Sequence, residues 1–133
     1  DYYLSQTQKP NDMTKELKVL EKFSEDSFVI YWRFKMPMMS DRDNVMHIMK
    51  HQREDGSIFT MLKTVERDDC PPVKGCVRCF CFTQGLCSKN KESPDDTIDY
   101  TELSYFNMNG YFPARLMNMI IAGETKREFG RMY

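Results

Sequence analysis

The sequence predicts an α+β domain, a meander of five or six antiparallel strands closed by one C-terminal helix. Three observations predict it. Residues 27–37 alternate, with Phe28, Ile30, Trp32, Phe34 and Met36 set against Val29, Tyr31, Arg33 and Lys35, the period of a strand with one wholly apolar face. Asp55-Gly56 separates two further runs by the tightest kind of hairpin turn. Gly110 stops the last strand, Pro113 stands where a first helical residue lacks nothing by having no N–H, and Met117, Ile120, Ile121, Thr125 and Phe129 follow at helical spacing.

The elements follow in order. Residues 5–14 are polar, contain a proline and read as loop. Residues 15–23 suit a short helix or a strand, and Glu25-Asp26 turns the chain into the strand at 27–37. Residues 45–53 are ambiguous alone, but the tight turn after them favours a strand paired with 58–66. Cys70-Pro71-Pro72 breaks the run. Residues 76–86 then alternate Val77, Cys79 and Cys81 with Arg78, Phe80 and Phe82. Residues 88–96 are a polar loop, and 97–109 form a last strand rich in Thr and Tyr. Short hairpin connections make the sheet antiparallel, and an amphipathic helix needs a sheet face to lie on.

Composition narrows the function. A chain of 133 residues suits one domain. Its formal net charge of −1, with acids and bases interspersed, argues against a nucleic-acid partner, which calls for a basic excess. No apolar run approaches the ~20 residues of a membrane-spanning helix. No secretory leader opens the chain, although Asp1 reads as the start of a truncated piece. Five clustered cysteines, an odd number, make a poor disulfide framework and point to a reducing, cytoplasmic setting. Eleven methionines suit either an ordinary core or a surface that adapts to a variable apolar partner.

Metal and catalytic readings find little. Cys76 and Cys79 have one metal-like spacing but would point to opposite faces of a strand, and no second pair follows. His47 and His51 would stand about 13 Å apart on a strand. Small buried thiols are the plainer reading. No nucleophile motif frames either histidine, and no glycine-rich phosphate loop occurs. What remains is an apolar lining: Trp32, Phe34, Met36, Phe80, Phe82, Met117 and Ile121 form either a core or the wall of a ligand cavity.

At this point the motifs match something familiar. The stretch FVIYWRFKMPMMSDRDNV resembles the strand, proline-containing loop and Arg-Asp pair of START domains, the steroidogenic-acute-regulatory-related lipid-transfer family. VKGCVRC resembles that family's next landmark, and NMNGYFPARLMNMIIAG its closing helix. The landmarks occur in the family's order over about residues 15–133. The resemblance implies a helix-grip fold, in which a curved antiparallel sheet wraps a long C-terminal helix with a lipid between them. It also implies that residues 1–133 are the C-terminal two-thirds of such a domain, with the opening strands and helices lying outside the chain.

The implied site follows from the same resemblance. Trp32, Phe34, Met36, Phe80, Phe82, Met117, Ile120 and Ile121 would line the tunnel, and Met38 and Met39 would form a loop at its mouth. Arg42, with Asp43, would pin that loop. Within the family the nearest likeness is to the phosphatidylcholine transfer branch, whose aromatic cage would map to Trp32 and Phe82, with the non-aromatic Asn44 at its third wall. The acid–base pair of the sterol-binding branch maps to the uncharged Trp32 and Ile48. A phospholipid is therefore the favoured ligand, with no cofactor and no catalysis. Transient contact with a membrane surface is expected, as is dimerisation through a sheet edge left unpaired. Two other readings stay open: a lipid-sensing module of a longer chain, and a small Cys/His metal protein or enzyme.

Overall fold

The computed structural model describes residues 13–93, 95, 97–119 and 122–123. Seven strands form one sheet: β1 (Thr14–Ser24), β2 (Ser27–Phe34), β3 (Asp41–Gln52), β4 (Ile58–Thr64), β5 (Cys76–Arg78), β6 (Phe80–Lys89) and β7 (Ile98–Asn107). The strand order is β1-β2-β3-β4-β6-β7. Each neighbouring pair along it is antiparallel. A helix, α1, begins at residue 114 and is continuous to 119. The expected α+β class therefore holds, with α1 starting one residue after Pro113.

Three boundaries differ from the sequence expectation, each for a physical reason. Residues 14–24 are strand throughout, because long-range pairing with β2 decides what local propensity left open. The strand after the methionine loop begins at Asp41, not residue 45, so Arg42, Asp43 and Asn44 lie inside the sheet. The run 76–86 is two strands. β5 pairs in parallel with β3 over Asp41–Asp43, and the chain steps at Cys79 onto β4 as β6. A wholly antiparallel meander is thus corrected by one short parallel pairing.

The two edges differ in kind. β1 carries Lys15, Glu16, Lys18, Glu21 and Lys22, and its register with β2 is broken at three places. Charges and bulges of this sort discourage further pairing. β7 runs in unbroken register against β6 from Lys89–Ile98 to Phe80–Asn107, and all ten of its residues are exposed.

Side chains alternate across the sheet, so register assigns the faces. On the face where Met117 of α1 packs lie Phe28, Ile30, Met46, Ile48 and Cys81, packed with Leu17, Trp32 and Leu62. Continuous with them through Trp32 are Phe34, Met36, Cys79 and Met108, packed with Met13, Met39, Phe112 and Met117. The opposite face holds a smaller cluster of Val29, Tyr31 and Val45.

Candidate functional site

The helix-side face is built around β2. Its period-two pattern stacks Phe28, Ile30, Trp32 and Phe34 in one row, and Phe28, Ile30 and Phe34 are buried. The rings of Trp32 and Phe34 lie 4.5 Å apart, centroid to centroid, at 32°. Trp32 is only half-buried, and its Nε1–H donates to Thr14 Oγ1 at 3.2 Å. The polar end of the indole is therefore tied to β1, while its rings join the two apolar clusters.

Beyond β2 the chain enters the methionine loop. Met36 is 2% exposed, and Met39 packs with it against Phe112 and Met117. Met38 does the opposite: its φ is +58° and its side chain is 98% exposed. The structure thus brings together Trp32, Phe34, Met36, Met39 and Met117, and leaves Met38 projecting from the turn. Ile120 and Ile121 lie outside the described residues.

Phe80 and Phe82 are not part of this face. Cys79 and Cys81 face the helix side, so the phenylalanines that alternate with them face away. Phe82 stands in register with Lys63 and Tyr105, and the Phe80 ring packs edge-on against Tyr105 at 6.0 Å. Trp32 and Phe82 therefore cannot be two walls of one cage. Asn44 between them is 0% exposed and already bonded.

Asn44 belongs to a polar node within the apolar face. Its Oδ1 accepts from Thr64 Oγ1 at 2.9 Å, and its Nδ2 donates to Cys81 Sγ at 3.1 Å. Thr64 Oγ1 in turn accepts from Cys81 N–H at 2.8 Å, and Cys81 Sγ sits 3.3 Å from Met46 Sδ. Three strands are stitched here by side chains as well as by backbone. Sequence reasoning missed Thr64 entirely, and saw Asn44 only as a place where an aromatic was lacking. The polar residues of one strand carry no mark of the partners they meet on another.

Burial pushes the Cys79 thiol up to about 12 and raises that of Cys81 as well, although bonds from Thr64 and Asn44 oppose the latter. Both remain protonated near neutral pH and fill space rather than attack. Cys79 N–H and Sγ both donate to Asp43 O, at 2.9 and 3.1 Å. His47 bonds Ser27 Oγ at 2.9 Å and meets the Phe23 ring, while His51 is exposed farther along the same strand. Among the described residues no group of three or more His, Cys, Asp or Glu converges as a metal site would require.

Arg42 and Asp43 do not pair with each other. As strand neighbours they point to opposite faces. Arg42, 2% exposed, stands beside Phe34 in register. It donates to Ser40 O at 2.6 Å, Met108 O at 2.9 Å and Asn109 O at 3.2 Å, and its guanidinium lies 5.8 Å from the centre of the Phe112 ring. Asp43 binds Arg78 instead. Arg42 thus bonds backbone carbonyls on both sides, Ser40 just before β3 and Met108 and Asn109 just after β7.

The arrangement is one apolar sheet face, continuous from Phe28 to Met36, partly roofed by the start of α1 and crossed by a satisfied polar node. Comparison with known proteins places it. No curated protein matched in the sequence search. Solved structures with the same fold include human StAR-related lipid transfer protein 5, with a TM-score of 0.72 and 19% identity, covering 93% of this chain and 60% of that one. Human STARD10 gives a TM-score of 0.75 at 17% identity, over 97% of this chain and 52% of that one. A STAR-related lipid transfer protein from Xanthomonas axonopodis gives 0.60 at 21% identity, over 87% and 63%. The chain thus spans about half to two-thirds of the length of the structures it matches. The START domain family model matches residues 5–126, nearly the whole sequence, and the chain belongs to that family.

Proposed function

We propose that this chain is the C-terminal two-thirds of a lipid-binding domain and holds an apolar ligand against the helix-side face of its sheet. One observation carries the reading: in a START-family chain, the row Phe28, Ile30, Trp32, Phe34 and Met36 forms a continuous apolar face that reaches Met117 of α1. Each methylene of an acyl chain gains ~0.8 kcal/mol on leaving water, so a face of this extent competes with a bilayer for a lipid tail. The solved structures of like fold that are named as lipid transfer proteins support the same reading. The mechanism is sequestration and carriage, not bond-making.

A phospholipid is the favoured class. The family resemblance maps the charged pair of the sterol-binding branch to Trp32 and Ile48, both of them uncharged. No choline preference is proposed, because Phe82 lies on the other face. Among the described residues no helix is long and apolar enough to cross a membrane, and contact with a bilayer would be peripheral and transient in a cytoplasmic setting. The exposed edge of β7 is where a second copy would add its strands.

The test is lipid extraction and mass spectrometry of the purified protein, followed by transfer of the identified lipid between vesicles. A bound two-tailed lipid that moves between vesicles supports the proposal. A bound lipid that does not exchange points to a sensor. Protein that carries no lipid and takes none from vesicles overturns it.

A further inference from the structure

The helix-side face turns polar where it reaches β6 and β7. Register carries the face of Cys81 along both strands, so Thr83, Gly85, Tyr100, Glu102 and Ser104 lie on it. Leu62, the last member of the apolar field, stands opposite Thr83, and the two fields meet there. Thr83 Oγ1 and Ser104 Oγ are 2.7 Å apart. One step farther, the missing side chain of Gly85 leaves a space that oxygens fill. Thr60 Oγ1 and the Tyr100 hydroxyl lie 2.6 and 2.9 Å from where a Cβ would stand, and the same hydroxyl donates to Glu102 Oε2 at 2.6 Å.

Glu102 is unlike the other strand carboxylates. Alternation and register put Glu16, Glu21, Asp41, Asp43 and Asp99 on the opposite face. The first four are paired with cations: Glu16 with Lys18, Glu21 with Arg67, Asp41 with Lys15 and Arg33, and Asp43 with Arg78. Asp99 accepts from Asn90. Among the described strand residues, Glu102 is the one carboxylate on the helix-side face, and its bond from Tyr100 uses one of its two oxygens.

We propose that Glu102, oriented by Tyr100, contacts the lipid head group: it accepts a hydrogen bond from a polar end that carries N–H or O–H, a primary ammonium or a hydroxyl, while the tails lie along Phe28, Ile30 and Ile48. The inference rests on the lipid-binding reading.

The chemistry of the oxygens sets the class. A carboxylate accepts and cannot donate. A primary ammonium brings three donors and a charge, and the charge-assisted bond is among the stronger ones. A quaternary ammonium brings no donor. A phosphate set directly on Glu102 would be repelled. It has a place one step nearer the apolar field, because Thr83 and Ser104 spend one hydroxyl hydrogen on each other and keep one for an outside acceptor. The order along the face is therefore tails, then phosphate, then donor.

The experiment offers the 133-residue chain mixed vesicles of dioleoyl phosphatidylethanolamine, phosphatidylcholine and diacylglycerol, and reads the lipids taken up by mass spectrometry. The parent should enrich phosphatidylethanolamine about tenfold over phosphatidylcholine, which shares its tails and phosphate but has no N–H. Glu102→Ala, at an exposed position on an edge strand, should abolish that enrichment, and Tyr100→Phe should reduce it. If a hydroxyl is the favoured donor, diacylglycerol is the lipid enriched. Glu102→Gln, which keeps an acceptor oxygen without the charge, then spares the preference, whereas it removes a preference for the ammonium. Either pattern supports the site. Uptake in the proportions of the vesicle, or a preference that persists in Glu102→Ala, overturns the site and leaves the lipid reading standing. No uptake of any of the three overturns both.

Discussion

Asp43 and Arg78 form the most deeply placed ion pair among the described residues. Arg78 Nε and Nη2 reach Asp43 Oδ1 and Oδ2 at 2.9 and 3.2 Å, and the Asp43 side chain is 0% exposed. Tyr31 adds its hydroxyl to Oδ2 at 3.3 Å, and Arg78 also donates to the carbonyls of Cys70 and Pro71. One guanidinium thus fastens the connection before β5 to the start of β3. Removing one member of a buried pair strands the other. Arg78→Met should cost ~3 kcal/mol in urea unfolding, the low end for such pairs because Arg78 is partly hydrated. Asp43→Asn combined with Arg78→Met should cost clearly less than the sum of the single changes. Full additivity would mean that the pair contributes little.

Trp32→Ala and Phe82→Ala separate the two sheet faces. Trp32→Ala should weaken phospholipid binding about tenfold or more, equally for choline and ethanolamine head groups, since the lost contact is apolar. Phe82→Ala should leave binding within about twofold, because its ring faces away. Vesicle titrations read both. A choline-selective loss in either variant would restore the cage that the strand register separates.

Asp41 links stability to acid. Hydrogen bonds from Lys15 and then Arg33 hold its carboxyl below the usual range, at 2.7 Å from Lys15 Nζ and 2.9 Å from Arg33 Nη2. A carboxyl lowered in the folded state contributes stability above its unfolded value, and loses it as pH falls through the folded one. Parent and Asp41→Asn should therefore differ in urea midpoint at neutral pH, and converge as pH falls below the ordinary aspartate value of 3.8. A gap that stays constant through that fall would show that the charge is not the cause.

Thiol reactivity should report burial. Cys79 and Cys81 are buried with raised thiols, whereas Cys70, Cys76 and Cys87 are half-buried. Native protein treated with iodoacetamide at about pH 8 should leave Cys79 and Cys81 unmodified, as peptide mass mapping would show. For Cys79 the neutral thiol is the folded form's preference. That contribution is whole below its unfolded value near 9 and is lost as pH rises through about 12.

Gly85 on β6 marks a tight approach. A Cβ there would lie 2.6 Å from Thr60 Oγ1 and 2.9 Å from the Tyr100 hydroxyl. The Tyr100 hydroxyl is bonded to Glu102, and the branched Thr60 is stiff. Gly85→Ala should cost ~1–3 kcal/mol, and Thr60→Ala should recover part of the loss. Equal stability of Gly85→Ala and the parent in chemical denaturation would mean that the strands yield freely.

Much of this was legible in the chain. Alternation located β2, Asp55-Gly56 located the β3–β4 turn, and Gly110 with Pro113 located the start of α1. The family resemblance rested on the same stretches. The break at Cys79 was not legible, because the period of two continues unbroken through Cys-Val-Arg-Cys-Phe-Cys-Phe while the pairing partner changes from β3 to β4. Parity within that run was readable, so Cys79 and Cys81 had to share a face. Which face they take is set by register against β4, which brings Cys81 to Asn44 and Thr64. Arg42 and Asp43, adjacent in sequence, invited pairing with each other. Only cross-strand register sends one to the end of β7 and the other to β5.

The parallel pairing of β5 with β3 sets an order of assembly. Hairpins β1–β2, β2–β3 and β3–β4 close over short loops, and β6–β7 closes over a modest one. β5 returns from Cys76–Arg78 to Asp41–Asp43, enclosing the whole of β4 in the loop it must close. Such non-local pairings pay their entropy before they are rewarded, and only three residues reward this one. The β5 contact should therefore be a late event in refolding. The Arg78–Asp43 bond, which β5 carries, then seals the sheet after its hairpins have formed.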